Sequence, residues 1–429
     1  MQINSRGKFK DQALRFTMVA GGIALMFWAA TNMTGCHSSG RSKGIAEAKN
    51  AAQARIDTLK AANEYQMAVQ ALTAGDLDKA QKHGDRALTL NASVPRSWVL
   101  RGRIMMEQGN MQAAHDSLLR AEQLSATDVE TQYYLGILAE RVARRDEAKE
   151  RYLKAAELDG ENPQYPLAAA EMMIDLGNID EAESFLKNRQ SQFQHAAGIQ
   201  QLLGQIAMLR NDYKSAAIAF NEARLLAPNE NEIVEDLART LYLDGQYAEA
   251  EMHLAKLLKD ETFGKRRDLA HMRAKCLITL DRNTEARDLL VQLTRQEGGN
   301  SDREAWIQLG QVAYQLRDSS RVRMAFSRLI AMSPERPEGY VLKALHLRRN
   351  NDLKGSEENF RLAVDREQDP KINAENMMML GLVMHAQNKT RSAQTAFAKA
   401  AELDPSNQIA SKLAKEPALA SVLANANDE

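Results

Sequence analysis

The chain has 429 residues in which 56 Lys plus Arg nearly cancel 57 Asp plus Glu, with no basic excess or stripe; nucleic-acid binding is therefore excluded as a main reading. Aromatics make up only 5%, prolines number nine and 26% of side chains are charged, as in a helix-rich body with mixed charge on its outer faces. Two cysteines, Cys36 and Cys276, cannot build a disulfide framework.

Residues 1–15 carry Arg6, Lys8, Lys10 and Arg15 against one acid, Asp11, and an apolar run from Phe16 to Met33 follows. The run ends in Met33-Thr34-Gly35-Cys36. A basic flank, an apolar stretch and a small residue before the cut describe a secretory signal over 1–35. The last four residues resemble the lipobox of bacterial lipoproteins, in which Cys36 becomes the lipid-bearing N-terminus; Met33 departs from the aliphatic residue usual there, and Asn32 interrupts the run. An uncleaved anchor helix is the alternative, since the run is just long enough to span a bilayer. Either way the basic flank places the rest of the chain on the extracytoplasmic side of a membrane. Residues 36–60 then read as a tether, polar from His37 to Gly44, and an Ala-rich helical lead-in.

From residue 61 the sequence repeats. Ala80, Ala114, Ala148, Ala182, Ala216 and Ala250 follow one another at a constant interval of 34. With that alanine as position 20, repeats start at 61, 95, 129, 163, 197 and 231, and after small shifts at 267, 303, 337 and 374. Position 8 is Gly or Ala in every repeat: Ala68, Gly102, Gly136, Ala170, Gly204, Ala238, Ala274, Gly310, Ala344 and Gly381. Position 15 tolerates left-handed backbone in eight repeats, as Gly75, Gly109, Gly177, Asn211, Gly245, Asp281, Asn351 and Asn388. Large residues recur at position 24, as Tyr152, Phe220, Phe326, Phe360 and Phe397. On either side of position 15 lie stretches with helical apolar spacing, so each repeat predicts a helix pair. Small residues at positions 8 and 20, including Ala393 in the last repeat, allow close approach, and neighbouring pairs must stack to bury their apolar faces.

This pattern resembles the tetratricopeptide repeat (TPR) family, whose marks are small residues at positions 8, 20 and 27 and a proline near 32. Gly204, Ala216, Phe220, Ala223 and Pro228 carry it well, as do Gly381, Ala393, Phe397, Ala400 and Pro405. The resemblance covers residues 61–407 and implies an all-α, right-handed superhelical solenoid of about ten repeats, closed by a capping helix near 408–415 and a loose tail to 429. Gly84, Arg189, Pro166, Val322 and Ser356 depart from the pattern in repeats 1, 4, 8 and 9. It further implies that first helices line a concave groove through positions 2, 5, 9 and 12. The groove candidates so chosen are Tyr65, Arg103, Tyr133, Ile137, Glu171, Gln205, Arg239, Tyr242, Lys275 and Tyr314. The Lys/Asn clamp by which cytosolic chaperone-binding members hold a terminal carboxylate is missing: Tyr65 and Val69 stand first, then Glu130 and Tyr134.

Nothing in the repeats points to catalysis. The eight histidines lack metal-ligand spacing, no Cys-x-x-Cys occurs, and no cofactor is implied. Cys276 reads as a buried apolar residue, and Glu357-Glu358 as solvated helix surface. Of the Met377-Met378-Met379 cluster, Met377 falls on the core side, whereas for Met378 and Met379 core packing and a groove-facing place are equal alternatives. The expectation is a membrane-tethered scaffold that binds protein partners through its groove in an envelope assembly of the pilus, secretion or polysaccharide-export kind. Its rivals are a polysaccharide-binding scaffold, with groove aromatics stacking on sugars, and a regulator of envelope enzymes.

Overall fold

The computed structural model describes residues 40–416 and 419–420. Within them all regular structure is helical: ten helix pairs and a closing helix, falling into two units that divide between Leu202 and Leu203. In the first unit α1 (Gly40–Thr73) pairs with α2 (Leu77–Leu90), α3 (Pro95–Glu107) with α4 (Met111–Leu124), α5 (Val129–Arg141) with α6 (Arg145–Leu158), and α7 (Gln164–Asp175) with α8 (Ile179–Gln190). The boundary cuts α9 (Ala197–Leu209), which is followed by α10 (Tyr213–Leu226). The second unit continues with α11 (Asn231–Leu243) and α12 (Tyr247–Leu257), α13 (Arg267–Thr279) and α14 (Asn283–Arg295), and α15 (Arg303–Gln315) and α16 (Ser319–Met332). It ends with α17 (Glu338–Arg349) and α18 (Leu353–Val364), α19 (Pro370–Ala386) and α20 (Thr390–Leu403), and the single α21 (Gln408–Lys415). α1 starts at Gly40, so helix takes in part of the stretch expected to be a tether, and lead-in and first repeat form one continuous rod. No proline lies between Gly40 and Thr73 to stop it.

Each pair folds back on itself through the same turn. At position 15 the backbone is left-handed at Gly75, Gly109, Gly177 and Gly245 (φ +76° to +81°) and at Asn211, Asp281, Asn351 and Asn388 (φ +56° to +61°). Two further residues adopt it against their own preference, Ala143 at φ +61° and Arg317 at φ +57°. The turn is therefore present in all ten pairs, not only where the residue type favours it. Its closure explains why. The N–H of position 16 donates to the carbonyl five residues back, as Asp76 to Ala71 at 2.9 Å, Arg144 to Ala139 at 2.8 Å and Asp318 to Ala313 at 2.8 Å. The same residue then starts the second helix. Asp76, Asn110, Asp212, Asp318 and Asp352 also cap that helix, each accepting from the N–H three residues on.

Packing inside each pair sets the size rule at positions 8 and 24. A Cβ added to Gly136 would lie 2.5 Å from the Tyr152 ring, on Gly204 2.8 Å from Phe220, on Gly381 2.5 Å from Phe397, and on Gly102 2.8 Å from Leu118. Where position 8 is Ala68, Ala170, Ala238 or Ala274, position 24 is the smaller Gly84, Leu186, Leu254 or Leu290. In most repeats the two positions compensate for one another in volume, as close packing requires, with Gly102–Leu118 and Ala344–Phe360 the exceptions. Between them, the position-20 residues Ala80, Ala114, Ala148, Ala182, Ala216, Ala250 and Ala393 are fully buried. Consecutive first helices touch, α1 with α3, α3 with α5, α13 with α15 and α15 with α17, more closely than the second helices do. Within each unit the first helices thus form the inner face.

The departures from the pattern are absorbed locally. Beside Gly84, Ile104 of the next repeat comes within 3.4 Å of where a Cβ would stand. Pro166 sits in the first turn of α7, where its missing N–H has no helical partner to lose. Arg189 lays its guanidinium 3.7 Å over the Phe185 ring. In repeat 8, Gly310 receives Leu342 of the following repeat, and the Phe326 ring turns to lie 5.9 Å from that of His346. Ser356, buried at position 20, donates its hydroxyl to the Ala344 carbonyl at 2.8 Å. Glu357 corrects the expectation of a solvated surface acid: its side chain is only 10% exposed, bonded by Lys389 at 2.6 Å and Arg361 at 3.0 Å. Glu251, at the same repeat position, is held between Arg273 at 2.9 Å and Arg282 at 2.8 Å. In both cases the cation at position 16 of the next repeat reaches back, so the acid ties consecutive pairs together. Cys276 is buried among apolar side chains.

Candidate partner-binding face

On the inner face of the first unit, α1, α3, α5 and α7 bring aromatic rings and arginines together. The Arg96 guanidinium lies 5.0 Å from the Tyr65 ring centre and that of Arg103 4.8 Å from Tyr134. Arg103 also faces Glu130 at 3.7 Å. Tyr133 is the hub: its ring centre is 5.5 Å from Tyr134, 5.2 Å from Tyr165 and 5.6 Å from Tyr152, the first two edge-on. Gln164 donates to the Tyr133 hydroxyl at 2.6 Å. Desolvation raises the hydroxyl pKa values of Tyr65 and Tyr133 and pushes that of Tyr134 up to about 12, so all three remain protonated near neutral pH. Desolvation also raises the Glu130 carboxyl, against the pull of Arg103. Tyr65, Arg103, Tyr133, Tyr134 and Tyr165 are all partly exposed, and Arg96 is exposed.

Not every groove candidate contributes open surface. Ile137 is buried, packed with Val99 and Met106 in the core between adjacent first helices. Glu171 is half-buried on α7, and Gln205 half-buried on α9. In the second unit the face is charged but internally matched. Arg239 bonds Asp268 at 2.5 Å and Glu235 at 2.9 Å, Arg266 joins the same two acids, and Lys275 meets Glu304 at 3.0 Å. Bonds donated by Arg266 and Arg239 hold the Asp268 carboxyl far below the usual range. Asp302 accepts from Arg267 and pairs with His271 at 2.9 Å. A rule runs through both units: the position-9 cation of one repeat meets the position-2 acid of the next, as Arg103–Glu130, Arg239–Asp268 and Lys275–Glu304. Tyr242 packs edge-on against Tyr247 at 5.7 Å, and the Arg349 guanidinium stacks 3.5 Å over Tyr314. Met378 and Met379 pack, partly buried, against the core of the last pair. Arg96, Glu130 and Gln164 stand at position 2 and were within reach of the sequence rule that selected the other candidates. Tyr165 stands at position 3, and only the packing of α7 on α5 and α6 turns it toward Tyr133.

Residues 65–129 match the family described as Tetratricopeptide repeat, a span reaching from the first helix of repeat 1 to the start of repeat 3. The first two helix pairs thus match the tetratricopeptide repeat. The same turn extends through all ten pairs. Among solved structures, the chain is similar to the crystal structure of PilW, described as a widely conserved type IV pilus biogenesis factor. That similarity is 18% in identity over 49% of this chain and 96% of PilW, with a TM-score of 0.43. A tetratricopeptide repeat protein from Parabacteroides merdae is 17% identical over 55% of this chain and 92% of its own, at 0.42. YrrB, described as a TPR protein with an unusual peptide-binding site, is 17% identical over 40% and 89%, at 0.34. At these identities the likeness is one of fold. No curated protein matches the sequence.

Among the described residues no group of His, Cys, Asp and Glu is arranged to hold a metal ion, and no helix is long and apolar enough to cross a membrane. The apolar run from Phe16 to Met33 and Cys36 lie outside the described residues.

Proposed function

We propose that this chain is a membrane-tethered adaptor that uses the inner face of its first repeats to hold a segment of a partner protein within a bacterial envelope assembly, of the pilus, secretion or polysaccharide-export kind. The observation that carries the reading is the Arg96–Tyr65 and Arg103–Tyr134 stacking beside Tyr133 and Tyr165. Partly exposed rings held by their neighbours have little side-chain freedom to lose on binding, and Tyr and Arg dominate binding hot spots for that reason. The tether rests on the basic flank, the apolar run and Cys36. Lipid on Cys36, with more than one acyl chain, would anchor the array stably at ~0.8 kcal/mol per buried CH₂.

Two measurements test these parts separately. Crosslinked affinity capture from the native membranes, comparing the wild type with Tyr133→Ala/Tyr134→Ala, should lose a defined set of envelope proteins in the variant; an unchanged set removes this face from the function. Metabolic labelling with a fatty-acid analogue should mark the wild type and not Cys36→Ser, and equal labelling rejects the lipoprotein reading. If the double variant loses a bound polymer and keeps its proteins, the polysaccharide-scaffold reading replaces the adaptor.

A further inference from the structure

We propose that the outer side of α1, from Ala48 to Met67, is a docking face for an amphipathic helix with acidic borders on a partner protein. This face is separate from the stacked rings of the first repeats and does not depend on them.

α1 runs for 34 residues and its partner α2 for 14, so about 30 Å of α1 extends past the pair. Residues 47–56 and 58–60 are all exposed. At the last pair the outward apolar side chains are covered, because α21 buries Ala410 and Leu413 against them. A repeat array needs such a cover, or a polar outer side, at each end. Among the described residues α1 has neither. Ala48, Ala52, Ile56, Leu59, Asn63 and Met67 follow one another at intervals of four, four, three, four and four. That spacing keeps them within about 100° of the helix surface over a length of about 28 Å. Buried Ala61 and Ala68, and Thr58, whose hydroxyl accepts from Asn91 at 3.5 Å, mark the opposite side as the one that meets the repeat. All six stripe residues are exposed, Ile56 by 46%, Leu59 by 68% and Met67 by 48%.

Charge and shape select the occupant. Arg55 borders the stripe on one side and Lys49 and Lys60 on the other, all three exposed. The acids of this stretch, Glu47, Asp57 and Glu64, lie more than about 100° round the helix from the centre of the stripe. Glu64 is moreover paired with His83 at 2.6 Å. An apolar stripe between cations fits one between acids. A second copy does not match: laid parallel, Arg55 would meet Lys60, and laid antiparallel, each cationic border would meet itself. Residues 1–39 of the chain carry the wrong charge, with Arg6, Lys8, Lys10 and Arg15 against Asp11. A membrane surface would satisfy the cations but leave Asn63 buried without a partner. A helix can offer Asn63 a polar side chain and can approach closely over Ala48 and Ala52.

The test is fluorescence anisotropy with the full chain in a non-ionic detergent and labelled peptides of about six helical turns. Each peptide carries Ile and Leu at the intervals of the α1 stripe; one has Glu at the bordering positions and the other Lys. The Glu peptide should bind, and the Lys peptide at least about tenfold more weakly. Leu59→Gln, on a side chain already in water, should weaken the Glu peptide by at least about tenfold. Arg55→Glu/Lys60→Glu should reverse the preference in favour of the Lys peptide. Amide exchange over residues 47–60 should slow when the Glu peptide is bound. Equal binding of the two peptides, binding of neither, or binding that Leu59→Gln leaves unchanged would overturn the proposal. So would a dimer that Leu59→Gln dissociates in sedimentation, or slowed exchange of residues 47–60 in phosphatidylglycerol nanodiscs without any peptide. Tyr133→Ala/Tyr134→Ala should leave the affinity for the Glu peptide unchanged; a loss there would place the peptide on the ring-lined face and reject α1 as its site.

Discussion

Gly204 offers a sharp test of the packing rule. A Cβ there would lie 2.8 to 2.9 Å from three ring carbons of Phe220, where ordinary contact begins at 3.4 Å, so the ring or helix must yield by about half an ångström. Overpacking of that kind costs ~1–3 kcal/mol. Alanine returns ~1 kcal/mol through its better helix propensity, leaving Gly204→Ala destabilised by ~0–2 kcal/mol. Phe220→Leu alone leaves a gap beside the glycine and should cost ~1–2 kcal/mol. The double variant reproduces the combination found in the next repeat, where Ala238 and Leu254 are both fully buried. It should therefore be more stable than the sum of the single effects by ~1 kcal/mol. Repeat arrays need not unfold in one step, so the readout should be amide hydrogen exchange within α9 and α10 beside the urea midpoint. Additivity of the two changes, or a neutral Phe220→Leu, would refute the idea that positions 8 and 24 share one volume.

The remaining expectations concern the turns, the inter-repeat acid and the seam. Ala143→Gly should stabilise the chain by ~1 kcal/mol, since it relieves a left-handed backbone that alanine resists, whereas Gly109→Ala should destabilise it by about as much; thermal midpoints decide. Glu357→Gln should cost ~1–2 kcal/mol in urea unfolding, a modest figure because Lys389 and Arg361 remain about half in water. Burial raises the Glu357 carboxyl, but bonds from Lys389, Arg361 and Gln387 outweigh it and hold the folded pKa below its usual value of 4.5. Its contribution is thus complete above pH 4.5 and lost as pH falls through the lower folded value, and the Gln variant should show a shallower acid loss of stability there. Ala216→Leu should overpack α9 against α10 by ~1–3 kcal/mol, and a neutral result would mean the alanine does not lie in the seam.

How much was legible in advance differs by position. The helix pairs follow from period and composition because a fixed interval of small residues admits few packings: Ala216 and Gly204 must lie where two helices meet. Glycine, asparagine and one aspartate, Asp281, announced eight turns, since their own backbone preferences match the turn. Ala143 and Arg317 gave no such signal. Their left-handed backbone comes from the hydrogen bonds of position 16 and the packing of the pair, which override the preference of the residue between. Glu357 was misjudged for a related reason: whether a helix-surface acid meets water or Lys389 depends on the next repeat, a contact between residues 32 apart in the chain.

For the binding face, sequence position alone placed Tyr65, Arg103 and Tyr133 on first helices but counted Ile137 as open, although the seam between helices buries it. It could not show that Arg103 and Arg239 already hold Glu130 and Asp268, nor that Tyr165 turns toward Tyr133. Periodicity, turn residues and small-residue spacing act over a few residues or one repeat, so the sequence by itself determined the helix pairs and their register. Burial, ion pairing and ring stacking join side chains of different helices at distances of a few ångströms. Only the stacking of the repeats decided which of those side chains remain available to a partner.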